Sequence, residues 1–134
     1  MAQVGKALVL MCLAAPAVAQ EVDCFATEVQ VEMTFCAEAE WMDADAELNV
    51  AYKAAVVALR EVDASLGKGD KAGANYLKQA QRDWILFRDN ACAAEAYVLH
   101  GGSADAMAIY GCRARLTRER SLGLYYIAEM GLGG

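Results

Sequence analysis

Proline is almost missing from this 134-residue chain: the single one is Pro16, so nothing after it interrupts a helix by removing an amide hydrogen. Histidine is equally scarce. His100 stands alone, with no CxxC pair near it, which argues against a zinc site. No motif sets a serine or cysteine nucleophile beside it, which argues against nucleophilic catalysis. Glycine-rich phosphate loops, dinucleotide fingerprints and haem-attachment motifs are also missing. Neither cofactor nor metal is expected, and the chain reads as a binding protein and not an enzyme. Basic residues are in the minority, 12 against 18 acidic, and after residue 20 none occurs before Lys53. Without a basic footprint, nucleic acid is excluded as a partner.

Long apolar runs are lacking too. The longest, Ala7–Ala15, follows Lys6 and leads into Pro16 and the small-residue triplet Ala17-Val18-Ala19. A membrane span needs roughly 20 apolar residues. A charged start, a short apolar run and a small-residue end instead describe a secretory leader, residues 1–19. The preceding Val9-Leu10-Met11 lacks the small residue that lipoprotein processing at Cys12 would require. Removal of the leader takes Lys6 and Cys12 with it, and no stable membrane insertion is expected afterwards. Residues 20–134 then form one domain with a net charge of −7 and four cysteines, Cys24, Cys36, Cys92 and Cys112. An even number of cysteines in an exported chain reads as two disulfides, with three possible pairings.

What remains is helical in its spacing. Trp41, Leu48, Tyr52, Ala55, Leu59 and Val62 form one stripe, predicting a helix over 28–64 with Thr27 as its cap. Gly67, Gly69, Asp70 and Gly73 form a turn cluster. Leu77, Ala80, Trp84, Phe87, Ala91, Ala94 and Val98 alternate steps of three and four, predicting a second helix over 74–99. His100-Gly101-Gly102 ends it, and Ser103 is positioned to cap a third helix over 104–130. There Met107, Tyr110, Ala114, Thr117, Ser121 and Leu124 share a stripe while Ile109, Leu116 and Ile127 lie off it. Short connections make this an all-α, disulfide-stapled, antiparallel three-helix bundle.

Hairpin register narrows the disulfides without closing the question. About the turn near residue 101, Cys92 faces Cys112. About the turn near residue 68, Cys36 falls ~12 Å out of register with Cys92. Cys24–Cys36 with Cys92–Cys112 is favoured, and Cys36–Cys92 with Cys24–Cys112 stays open.

Polar residues flank the second stripe. Gln81 and Arg88, like Arg82 and Asp89, repeat at seven. Polar groups beside a buried seam need partners, so Arg82 or Arg88 is expected to bond Asp45, Asn49 or Asp89 and fix the register of the helices. Glu38, Asp43 and Glu47 belong to the acidic first helix. Asp43 and Glu47 share a face, but like charges there are usually solvated, so they are candidates for contact with a cationic partner and not for acid–base chemistry.

Several of these residues occur together in a pattern: Cys24, Glu32-Met33, Cys36-Ala37, Ala44-Asp45-Ala46-Glu47-Leu48-Asn49 with Tyr52, Ala80-Gln81-Arg82-Asp83-Trp84, Phe87-Arg88-Asp89 with Cys92, Gly101-Gly102-Ser103, Cys112, and Leu116-Thr117 with Arg120. This pattern, spanning Cys24 to about Leu122, resembles the LprI-like lysozyme-inhibitor family of small bacterial envelope proteins. The resemblance implies a periplasmic or secreted protein that acts by binding a partner, with a cationic protein such as lysozyme as the expected one. It marks no partner-contacting residues. The turns Gly67–Gly73 and His100–Ser103 are the exposed elements that could enter an enzyme cleft. The rival reading is a structural or accessory envelope protein with no hydrolase target.

Overall fold

The computed structural model describes residues 21–67, 69 and 72–132. The leader at 1–19 and Asp70 of the turn cluster lie outside the described residues. Three α-helices follow in order: α1 (Gln30–Ser65), α2 (Gly73–Ala96) and α3 (Asp105–Leu132), with a 3₁₀ turn at Tyr97–Leu99 ending the second. Disulfides join Cys24 to Cys36 and Cys92 to Cys112. The architecture is the expected all-α stapled bundle. Neighbours in sequence run antiparallel, whereas α1 and α3 run parallel: Gln30 meets Met107, Trp41 stacks on Tyr110, and Ala58 abuts Gly131, so the contacts climb both helices together.

The closest packing is between α1 and α3. Ala44, Leu48, Ala51, Ala55 and Ala58 are buried at steps of four and three, and Ala114, Thr117, Ser121, Leu124 and Ala128 are buried at steps of three and four. Both lines follow the 3.5-residue spacing of a coiled-coil seam. Because nearly all are small, the backbones come close: a Cβ placed on Gly131 would lie 2.8 Å from Ala58 Cβ. Ala55 is fully buried, so Ala55→Leu forces three additional heavy atoms into a seam with no room for them. The expected cost is about 2 kcal/mol, checked by urea unfolding.

The expected stripe of α1 is therefore corrected. Ala44, Ala51 and Ala58 are buried, while Trp41, Tyr52, Leu59 and Val62 are only half-buried, with Tyr52 and Leu59 packed beside the core cluster. The line on α2 is corrected further. Leu77, Gln81, Arg88, Cys92 and Ala96 are buried, whereas Ala80, Phe87, Ala94 and Val98 are exposed. At 80, 87 and 91 the buried position is one residue later, a rotation of ~100°. Cys92, tied to Cys112, helps set that rotation, and Gln81 and Arg88 tolerate burial because each finds polar partners.

Helix ends also differ from expectation. Thr27 does not cap a helix at 28; its hydroxyl bonds the Glu32 carboxylate and accepts the Val29 amide at 3.2 Å, and α1 begins three residues after it. The exposed amides at the start of α2 are met from across the turn, where the Asp63 carboxylate accepts Gly73 N–H at 2.9 Å and Ala74 N–H at 3.0 Å. A carboxylate there both satisfies free donors and opposes the positive end of the helix dipole. Before α3, Ser103 makes no side-chain hydrogen bond among the described residues, and Asp105 Oδ2 instead reaches back to the Gly101 amide at 3.4 Å, ahead of the helix.

Candidate functional site

The most heavily partnered side chain is Arg88. It is 6% exposed, with its guanidinium carbon 5.6 Å from the Trp41 ring centre and 5.3 Å from that of Trp84. Asp45 on α1 takes its Nη1 at 3.3 Å and Asp89 takes its Nε at 3.0 Å. Trp41 also meets Tyr110, stacked at 5.7 Å, and the guanidinium of Arg113 at 4.9 Å. Arg113 Nε is 3.2 Å from Asp89, within ion-pair range but off the direction of a hydrogen bond. One cluster thus joins all three helices, with two cations against aromatic faces and two partly exposed carboxylates balancing them. Nearby, Arg120 Nε donates to Gln81 Oε1 at 3.0 Å, and burial lowers the Arg120 pKa.

The five polar residues expected to knit the bundle divide here. Asp45, Arg88 and Asp89 come together. Asn49 is exposed and donates its amide to the Asp45 backbone carbonyl at 2.8 Å, within its own helix. Arg82 is exposed and makes no hydrogen bond or ion pair among the described residues. It lines an open recess of about 290 Å³ between α1 and α2, with Asp45, Asn49 and Tyr52 opposite. Arg113 and Tyr110 went unread as members of this cluster. The pairing of Cys92 with Cys112 carries a signal for Arg113, because that register brings it within two residues of the position facing Asp89.

Of the acidic candidates, Asp43 and Glu47 are exposed and Glu38 is half-buried, and none makes a salt bridge among the described residues. Glu40, on the same helix, pairs instead with Arg118 at 3.4 Å, and Glu95 pairs with Arg115 at 2.7 Å. Some of the acidity of α1 is therefore neutralised by α3, and Asp43 and Glu47 remain as free negative charge. No group of three histidine, cysteine, aspartate or glutamate side chains among the described residues could hold a metal ion. No helix there is long and apolar enough to cross a membrane.

The family model for the lysozyme inhibitor LprI matches residues 23–124, a span that holds both disulfides and the whole Arg88 cluster. The chain belongs to the LprI family. An uncharacterized protein of Rhizobium meliloti (strain 1021) is 41% identical over 125 residues, covering 90% of each chain. No solved structure matches.

In this LprI-family chain both staples sit at one end. Cys24–Cys36 folds the entering segment onto the first turns of α1, and Cys92–Cys112 ties the last turns of α2 to the second turn of α3. Between the latter two helices the connection is held by its own bonds. Gly102 N–H donates to Leu99 O at 2.9 Å, His100 N–H to Tyr97 O at 3.1 Å, and the Tyr97 and His100 rings stack at 5.1 Å. Gly101 has φ of +77°, a conformation that favours glycine, which lets the chain reverse there. The result is a short, bonded projection whose residues Tyr97 to Ser103 are all exposed.

Proposed function

We propose that this protein is a periplasmic or secreted inhibitor that acts by binding a cationic muramidase of the lysozyme type and carries out no reaction of its own. The observation that carries the reading is the match to the lysozyme-inhibitor family across 102 consecutive residues, 23–124. Charge supports it: the chain is at −6 with the leader included, and Asp43 and Glu47 stand unpaired on the outside of α1. Opposite charge speeds encounter and selects among partners, and a strongly cationic hydrolase is a natural complement. Export is supported by the leader-like sequence at 1–19 and by two disulfides, which persist in oxidising compartments.

The test is turnover of a peptidoglycan substrate by a cationic lysozyme as oxidised protein is added, beside a reduced and alkylated control. Dose-dependent inhibition is expected from the oxidised form and none from the control. Undiminished turnover at large molar excess of the oxidised form would remove lysozyme as the target and leave the family and the fold in place, with an accessory envelope role as the reading to pursue.

A further inference from the structure

The two ends of the bundle differ in charge. No lysine or arginine occurs between residues 21 and 52 or between 89 and 112, so the tip of the stapled end is bounded by Glu21, Asp23, Glu28, Glu32 and Asp105, and the first cations below it, Arg113 and Arg115 beside Cys112, face Asp89 and Glu95. The contact of Gln30 with Met107 places the first turn of α1 beside the first turn of α3, which brings the entering segment and the 97–104 connection to this same end. The opposite end carries Arg60 and Lys78, and its connection includes Lys68 and Lys71 in sequence.

The stapled end also exposes large apolar side chains for which the fold has no use. Phe25 is fully exposed, Phe35 is 56% exposed, Tyr97 69% and Val98 87%. Apolar anchors within a polar rim are the usual composition of a protein-binding surface. The Tyr97–Gly102 projection has a further property: it is already ordered. Its amides are bonded, its two rings are stacked, and Asp105 Oδ2 lies 3.4 Å from both His100 Nδ1 and the Gly101 amide. Cys92–Cys112 fixes the two helices beneath it. A preordered convex element loses little entropy when it enters a concave one. The other connection, residues 66–72, has no aromatic residue, and its neighbourhood in sequence mixes Arg60, Lys68, Lys71 and Lys78 with Glu61, Asp63 and Asp70.

From this geometry we infer that the stapled end is the docking surface, with the Tyr97–His100 projection entering a concave apolar site that is rimmed by basic residues. Given the function proposed above, on which this rests, that site is the substrate cleft of the cationic muramidase. Asp43 and Glu47, farther along α1, contribute attraction at a distance and not contact.

The experiment compares inhibition of a cationic lysozyme by three oxidised proteins: the parent, Val98→Lys at the projection, and Val57→Lys, which is equally a surface valine-to-lysine change but lies ~40 Å away along α1. Both sites are exposed, and far-ultraviolet circular dichroism verifies that both variants keep the parent's helix content. The inhibition constant is expected to rise about tenfold or more for Val98→Lys, as for loss of an apolar anchor, and by no more than about twofold for Val57→Lys, as for a remote change of charge. Tyr97→Ala, which changes no charge, is expected to weaken inhibition as well. Parent-like inhibition by Val98→Lys and Tyr97→Ala overturns the docking surface while the proposed function stands. Equal weakening by Val57→Lys overturns it too, since net charge and not place would then decide. Failure of the parent to inhibit overturns both.

Discussion

Replacing Cys92 and Cys112 together by alanine is expected to lower the free energy of unfolding by about 3 kcal/mol, the chain-entropy value for a closed loop of this length. Both half-cystines are buried in the bundle, at 0% and 3% exposure, so lost packing adds to the released entropy. The bridge spans 20 positions and holds α2 against α3, which matters because α2 has no close small-residue seam of its own. It is attached through long side chains, Trp84, Arg88 and Gln81, and the disulfide fixes which of its faces points inward. Replacing Cys24 and Cys36 is expected to cost less. Cys24 is exposed and its bridge orders an entering segment that buries little. Chemical unfolding of the two double variants beside the parent checks the order, and equal losses would contradict this division of roles.

The second large effect is at Arg88. Arg88→Ala is expected to destabilise the protein by about 3 kcal/mol, through lost packing of its stem, loss of contact with two indole rings, and loss of the cation facing Asp45 and Asp89, of which Asp89 keeps Arg113. Asp45 and Asp89 have side-chain exposures of 43% and 40%, so water recovers part of their charge and the ion pairs alone would be worth much less. Most of the effect is assigned to the filled space between Trp41 and Trp84. Arg82→Ala, one turn and a half earlier on α2, is expected to change stability by no more than about 0.5 kcal/mol, as for an exposed side chain without a partner. The contrast between two arginines of one helix is the check. Denaturant unfolding gives both values, and similar losses would mean that Arg82 carries interactions absent from this account.

That contrast also marks what sequence can disclose. Helix number and the short connections follow from residues whose meaning is local, glycine clusters and steps of three and four, and hairpin register favours the observed pairing of 92 with 112 without excluding the alternative. The polar network was legible at the level of need, since a polar residue beside a seam must find a partner. It was not legible which arginine is enclosed, because Arg82 and Arg88 both repeat at seven with an acidic or amide neighbour. The rotation of α2 that decides it depends on Trp41 and Tyr110 from other helices. Counting apolar residues pointed to Ala80, Phe87, Ala94 and Val98 as core, and all four are exposed. A helix whose buried face includes glutamine and arginine reverses the rule on which such counting relies.

A related lesson comes from the α1–α3 seam. Thr117 and Ser121 belong to the inward stripe of α3 and are buried, Ser121 returning its hydroxyl to the Thr117 carbonyl at 3.0 Å. Their small size, not their polarity, qualifies them, because they face a row of alanines. At the stapled end the position is reversed. Val98 reads as core by spacing, yet it follows the end of α2 and is exposed, at little cost to the fold.

The most direct measurement of the central claim is the dissociation constant of the oxidised protein for a cationic lysozyme across a salt series, obtained by titration calorimetry. Saturable one-to-one binding is expected, weakening about tenfold or more as ionic strength is raised from roughly 0.01 M to 0.15 M, as screening shortens the reach of the acidic face. Absence of saturable binding at the lowest salt, or affinity that does not change with salt, would contradict it.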